Sequence, residues 1–244
     1  MMRQHTRLGL WLLALAVATG FAGLGRWQLD RMHQKEALLR QASQVRLHPQ
    51  TLDAALAQAP HLAWVSGMVE LLPQQVLLDN QMREGRAGVR IYQPAHAGNG
   101  AWLLVDLGWW PLPPDRHLPA LTPLVGRVPV RGLLAPPPSA GIALGPALAR
   151  TDEPTTWLAT RIDLAAIGAT LGHRDISSQV LRLDPALPLG YARDLEILPN
   201  TLPPARHLAY AVQWFGLALA VLATAAILQW RSRRERRRAR IALP

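Results

Sequence analysis

Histidine is the residue type in this chain best suited to chemistry, because cysteine is absent altogether. Four of the eight histidines, His33, His48, His61 and His96, are scattered without the short spacings that metal sites use. Asp115 with His117, and His173 with Asp175, put carboxylates near imidazoles. They stand in proline- or glycine-rich surroundings, where such pairs are solvated surface rather than acid–base machinery. No GxSxG elbow, HExxH helix, phosphate-binding loop or dinucleotide fingerprint occurs. Without thiols, disulfide staples, thiolate zinc sites and thiol-borne transfer of copper or electrons are excluded. The chain reads as non-enzymatic. His207 differs by its position, at the mouth of a long apolar segment just before Tyr210. An imidazole there could take an axial position of haem iron. It could equally hydrogen-bond to lipid headgroups or to a neighbouring domain, and the residues alone leave both open. Gln213, polar inside the apolar run, should turn toward a protein neighbour.

Two apolar segments must position these residues. Leu208 to Trp230 carries no formal charge and is long enough to cross the hydrocarbon core of about 30 Å. Tyr210 and Trp214 lie near one end and Trp230 at the other, where interfacial aromatics belong. Residues 231–240 hold seven arginines and one glutamate, a local charge of about +6 that should stay in the cytoplasm. Leu8 to Gly25 is a shorter apolar segment preceded by Arg3 and Arg7. Ala16, Ala18 and Gly20 would suit a cleaved signal peptide, but the run is long for one, so an uncleaved anchor is expected. The predicted order is a cytoplasmic N-terminus (1–7), a first span (8–25), a periplasmic domain with its linker helix (26–207), a second span (208–230) and a basic cytoplasmic tail (231–244). Small residues at Ala14, Ala18 and Ala22, and at Gly216 and Ala220, would let the two spans approach closely.

The formal charge of +10 sits mostly at the two ends, which leaves the middle nearly neutral and gives nucleic-acid binding no basic face. The tail reads as a positive-inside anchor in preference to a specific lipid site. Within the middle domain, residues 26–43 predict a helix leaving the membrane, with Leu29, Met32, Leu38 and Leu39 on an apolar stripe. Residues 48–60 predict a short helix capped by Thr51 and stopped by Pro60. Six or seven strands follow, interrupted by a second short helix near residues 160–173. Gly85 and Gly88 mark a turn between two of the strands, and Asp79 with Asn80 reads as the end of a strand. The expected fold is a membrane-anchored α+β protein: two transmembrane helices flanking a mainly antiparallel, barrel-like β domain with short helices. No internal repeat is present.

Four stretches resemble the Surf1 family (Shy1 in yeast) of cytochrome c oxidase assembly proteins. They are LGRWQLDRMHQKEALL (Leu24 to Leu39), LLDNQMREGRAGVRIYQP (Leu77 to Pro94), WLLVDLGWWPLPPDR (Trp102 to Arg116) and NTLPPARHLAYAVQWF (Asn200 to Phe215). Their order and the two-anchor layout extend the resemblance over nearly the whole chain. Before Gly108 the family often reads NRGW, whereas this chain has Asp106 and Leu107. The stretch from Pro136 to Asp152 aligns with little of the family pattern. The resemblance implies a bacterial inner-membrane protein that helps build a haem–copper oxidase, with haem A as a transient cargo. The implied partners are the catalytic subunit of the oxidase, the haem A synthase and the lipid bilayer. His207 matches the family's transmembrane histidine and is the implied iron ligand. Tyr210 and Trp214 would flank the macrocycle, and Arg206, Arg26 or Arg31 would meet propionates. Gln213 would orient the ligand or bind the other span. Trp27, Asn80, Gly85, Gly88, Gly108 and Trp109 are expected to shape the outer domain or its docking face. A scaffold that docks the oxidase without holding haem is the alternative.

Overall fold

A computed structural model describes residues 2–138, 145–173, 175–195 and 202–241. The readings on residues 1–7, on the centre of the 136–152 stretch, on Asn200 and on the tail beyond Glu235 fall outside its described side chains. The chain forms two compact units, one made of Met1–Leu38 with Thr201–Pro244 and the other of Leu39–Asn200.

The first unit is built on two helices, α1 (Met2–Leu47) and α4 (Pro204–Ile241). α1 runs without a break from the apolar segment into the amphipathic one, because no proline or glycine pair interrupts it. It ends at Leu47, two residues before Pro49, whose ring disfavours helical geometry in the residue before it. α4 opens on Pro204, a residue suited to the first helical position because its missing N–H would have no partner there anyway. The spans Leu8–Leu47 and Pro204–Glu235 are long and apolar enough to cross a membrane. Flanking a soluble domain, they support a multi-pass topology.

Among its described residues the second unit holds a nine-stranded mixed sheet: β1 (Gln50–Thr51), β2 (Ala63–Leu71), β3 (Gln75–Arg83), β4 (Arg86–Ala97), β5 (Trp102–Pro111), β6 (Gly126–Ala135), β7 (Leu148–Arg150), β8 (Thr156–Ala159) and β9 (Ile176–Leu183). β2, β6, β9, β5 and β4 pair in turn, and β4 pairs back onto β2, so these strands close a ring. Most pairings are antiparallel, as expected, but β1–β2, β3–β8 and β5–β9 are parallel. β1, β7 and β8 are strands of two, three and four residues, too short to stand out by alternation.

Side-chain alternation assigns the two faces of the ring. Leu77, Ile91, Leu103, Val105, Leu107, Leu134 and Leu181 fill one core. Their neighbours Val76, Leu78, Tyr92, Leu104 and Val180 form a second core with Ile167 of α3 (Leu164–Leu171). Asp163 caps α3 by accepting from the Ala166 N–H at 3.1 Å. The other short helix, α2 (Leu52–Gln58), starts at the Thr51 cap and ends at Ala59 in the left-handed region, directly before Pro60. Glu84 and Gly85, both at positive φ, make the two-residue hairpin turn between β3 and β4. Asp79 and Asn80 do not end a strand. β3 continues through them, and the register shifts between Leu78 and Gln81 at a bulge where Asn80 takes φ 56°.

Candidate functional site

His207 is in the first turn of α4 and is buried. Its Nδ1 lies 2.6 Å from Oε1 of Gln28 on α1. A carboxamide oxygen only accepts, so Nδ1 carries the proton and donates. In the neutral ring the lone pair is then on Nε2, which is buried and has no hydrogen-bond partner. A buried polar atom left unpaired costs about 1–3 kcal/mol and calls for an explanation. Metal-binding histidines have this arrangement: one nitrogen donates to a fixed acceptor and the other is free to ligate.

The surroundings of this histidine are set by helical periodicity. Phe21 and Gln28 are seven residues apart on α1, as His207 and Trp214 are on α4, so each pair shares a face. Phe21 and Trp214 meet with ring centroids 5.5 Å apart. Ala211, between His207 and Trp214, is 1% exposed. Gly25 faces Phe215, and a Cβ there would stand 2.9 Å from the ring, so the glycine permits the approach. Farther along, the Trp11 indole N–H donates to Oε1 of Gln229. Partners that advance along α1 recede along α4, so the pair is antiparallel. The small residues that make the contact are Ala18, Gly25, Ala211 and Ala218. Gly216 has open space around it and Ala220 is exposed on the wall of a groove between the helices, so the close approach on α4 falls to Ala211 and Ala218 in place of the expected pair.

The other residues singled out around His207 are placed differently. Tyr210, Arg206, Arg26 and Gln213 are exposed. Gln213 is six residues from His207, which rotates it about 120° off the shared face. Trp27 is exposed, with the Arg31 guanidinium 5.9 Å from its ring. Arg31 also donates to Gln34, and the Lys35 ammonium donates to the Leu202 carbonyl. Gln28 is the residue that sequence reasoning missed. The signal was there, since it is the uncharged polar residue between Arg26 and Arg31 in a family-like stretch, but nothing in one sequence pairs it with a residue so far along the chain.

In the sheet domain, Gly88, Gly108, Trp109 and the bulge after Leu78 come together. A Cβ on Gly88 would lie 2.3 Å from the Trp110 carbonyl and 2.4 Å from the Trp109 ring. The Trp109 indole donates to the Gln81 carbonyl at 2.8 Å, and its backbone N–H donates to Ala192 at 2.7 Å. Gly108 has φ 119° and leaves no room for a Cβ against the Tyr191 and Ala192 carbonyls. Asp79 accepts from Asn80 N–H at 2.6 Å and from Arg116 at 2.9 Å. Gly85 lies in the hairpin turn.

Asp106, which departs from the family pattern, is buried opposite Tyr92 on one side and Arg182 on the other. The Arg90 guanidinium donates to it at 2.8 Å, and Arg182 stands 3.8 Å away. Asp194 continues the chain of charges at 3.9 Å from Arg182 and 3.2 Å from Arg83. Burial, then Asp106, hold the Tyr92 phenol well above its ordinary value. These groups lock the strands together and offer no acid–base pair. Among the described residues no cluster of three metal-binding side chains exists. A protein-family model described as the SURF1 family matches residues 15–219. No curated protein matches the chain.

Proposed function

Because the chain belongs to the SURF1 family, we propose that it assists insertion of haem a into the catalytic subunit of a haem–copper oxidase, with His207 as the residue that meets the iron. Membership supports the broader role, cytochrome c oxidase assembly within the assembly machinery. SURF1-family proteins are non-catalytic assembly factors, and the chain is not an enzyme.

One observation carries the haem reading: the Nε2 lone pair of His207 is buried without a partner while Gln28 fixes the proton on Nδ1. Haem is the cargo, and only the open axial position of its iron is at issue here. Gln28 keeps the ring in the ligating tautomer. Trp214 presents apolar surface one heptad deeper, and Tyr210 does so from an adjacent position. Arg206, Arg26 and Arg31, all exposed on the same stretch of the two helices, are the candidate partners for propionates. Gln213, exposed on another face, would serve a neighbouring chain rather than the ligand. Trp27, Asn80, Gly85, Gly88, Gly108 and Trp109 serve the shape of the helix pair and the outer domain or its docking face. A single axial ligand suits a carrier that must release its cargo. On this reading the chain sits in a bacterial inner membrane with both termini cytoplasmic and residues 26–207 periplasmic. The haem A synthase would supply the cargo, and the oxidase subunit would take it.

The scaffold alternative draws on the same nitrogen, because Nε2 is covered and must be uncovered before it can bind anything. The deciding experiment expresses the protein in a host that makes haem A and purifies it in mild detergent. Oxidised and reduced spectra are recorded for the wild type and for His207→Ala. Stoichiometric haem that disappears in the variant is the expected result. Haem retained by the variant, or absent from a folded wild type, would leave the scaffold reading in its place.

A further inference from the structure

Away from His207, toward the Trp11–Gln229 contact, α1 and α4 enclose a groove of about 610 Å³. Its volume falls within the roughly 300–1,000 Å³ range of small-molecule sites. Its walls are aliphatic, with Leu13 and Val17 on one helix and Leu217, Val221 and Leu228 on the other. On α4 the lining runs from Leu217 to Ser232, about 22 Å at the helical rise.

The polar groups along this wall are already engaged. The Thr224 hydroxyl donates to the Ala220 carbonyl at 2.8 Å and the Ser232 hydroxyl to the Gln229 carbonyl at 2.9 Å. The Trp11 indole N–H is taken by Gln229 Oε1. The groove therefore selects an extended apolar occupant over one needing polar partners along its length. At its Ser232 end the chemistry changes. Arg231 and Arg233 flank Ser232, and the Arg234 guanidinium lies 3.8 Å from the centre of the Trp230 ring. The run from 231 to 240 holds one acid, Glu235, against seven arginines. The carboxamide N–H groups of Gln229 are donors at the boundary between the apolar wall and these charges.

We infer that the groove binds one anionic glycerophospholipid, with an acyl chain along the Leu13–Leu228 wall and its headgroup phosphate against Arg231 and Arg233, the arginines that flank Ser232. Charge complementarity selects the occupant: a neutral lipid would fill the groove but leave the arginines unanswered. The ester region lies at the level of Gln229. Beyond anchoring, the basic tail then selects which lipid sits against the helix pair.

The test is native mass spectrometry of the full chain in mild detergent with equal amounts of phosphatidylglycerol and phosphatidylcholine of the same acyl chains. One phosphatidylglycerol should be retained, favoured at least about tenfold and less so at high salt. The double variant Arg231→Gln, Arg233→Gln should lose the preference, whereas Arg234→Gln, on the face of Trp230, should keep it. Ala220→Phe, which fills the groove from an exposed position, should lose retention of both lipids while helix content and melting of the sheet domain are unchanged. Equal retention of the two lipids by the wild type would overturn the inference. So would a preference that survives the double variant, or retention unaffected by Ala220→Phe. A lipid-free dimer whose association Ala220→Phe abolishes would make the groove a helix-docking face and would overturn it as well.

Discussion

Replacing Gln28 tests the arrangement of His207 directly. In the wild type the short bond from Nδ1–H to Gln28 Oε1 is part-buried between two helices. A buried donor stripped of its acceptor costs about 1–3 kcal/mol. In Gln28→Leu the free protein can escape this cost by moving the proton to Nε2, so its two tautomers should become comparable in population. A ligand on Nε2 forbids that escape, because ligation returns the proton to Nδ1 with nothing to accept it. Because the ring also loses the partner that orients it and raises its basicity, haem binding should then weaken about 10- to 100-fold, well beyond the roughly twofold that the shared tautomer alone would give. Gln28→Glu should act in the opposite sense. A carboxylate holds the same proton more strongly, makes the ring more electron-rich, and should lower the reduction potential of bound haem. A purely packing role for Gln28 would not produce that shift.

Two assays separate the steps. Nitrogen NMR of histidine-labelled protein reports the tautomer without any haem: the proton should be on Nδ1 in the wild type and shared in Gln28→Leu. Haem titration followed by absorbance then gives the affinity. A wild-type ring protonated on Nε2 would refute the reasoning at its first step. Haem affinity in Gln28→Leu within about twofold of the wild type would refute it at the second, provided His207→Ala abolishes binding.

Three further perturbations concern the sheet domain and are read by urea denaturation of the full chain with tryptophan fluorescence. Gly88→Ala forces Trp109 or the Trp110 backbone to move and should destabilise by about 3 kcal/mol, leaving the haem spectrum unchanged where protein remains folded. Asp106→Asn leaves Arg90 and Arg182 buried without their shared carboxylate and should cost about 3–5 kcal/mol. The third perturbation is pH. Burial pushes the Asp184 carboxyl up, but the Ala186 N–H and the Arg131 guanidinium more than offset it and hold it below its ordinary value. Its contribution is therefore present above the unfolded carboxylate pKa of about 3.9 and is lost as pH falls through the folded value. The stability difference between the wild type and Arg131→Gln should fade as pH drops below about 4.

The parts of the fold that were legible in the sequence are those with a local cause. Thr51 and Pro60 bound α2 because a hydroxyl cap and a ring without an N–H act within one turn. The apolar run in WLLVDLGWW with its proline stop reveals β5, and the run does not alternate because Leu103 and Leu104 face opposite cores. β7 and β8 were missed because strands of three or four residues leave no period to read. The bulge after Leu78 was read as a strand end for a related reason. Asp79 and Asn80 have turn chemistry, and only the partner strand shows that pairing resumes at Gln81. The helix pair shows the same limit. Alanines at helical spacing exist in several registers, and what selects one is a set of distant meetings: Gln28 with His207, Phe21 with Trp214, and Phe215 on Gly25. His207 was legible by its place at the end of an apolar run, but its tautomer was not, because the acceptor that sets it is 179 residues away.

An unpaired buried atom is not by itself a site, and the chain supplies its own controls. Among the described residues, Gln74, Gln75, Tyr92, Gln179 and Arg182 also bury a side-chain nitrogen or oxygen without a hydrogen-bond partner. The amide atoms of Gln74, Gln75 and Gln179 are weak ligands. Arg182 presents a cation and lies within 3.9 Å of Asp194. The Tyr92 phenol is completely enclosed, with its ring in the second core, and burial and then Asp106 keep its proton on, so it has no oxygen anion to offer. His207 Nε2 alone in this set is a good neutral donor to a metal. It is also the one whose competing protonation site is fixed by a second residue, and it lies at the start of a helix rather than inside a sheet. Removing the Tyr92 hydroxyl should relieve a cost and leave haem retention unchanged, whereas removing the His207 ring takes away the one covered lone pair of this set that suits a metal, and on the proposed reading the haem with it.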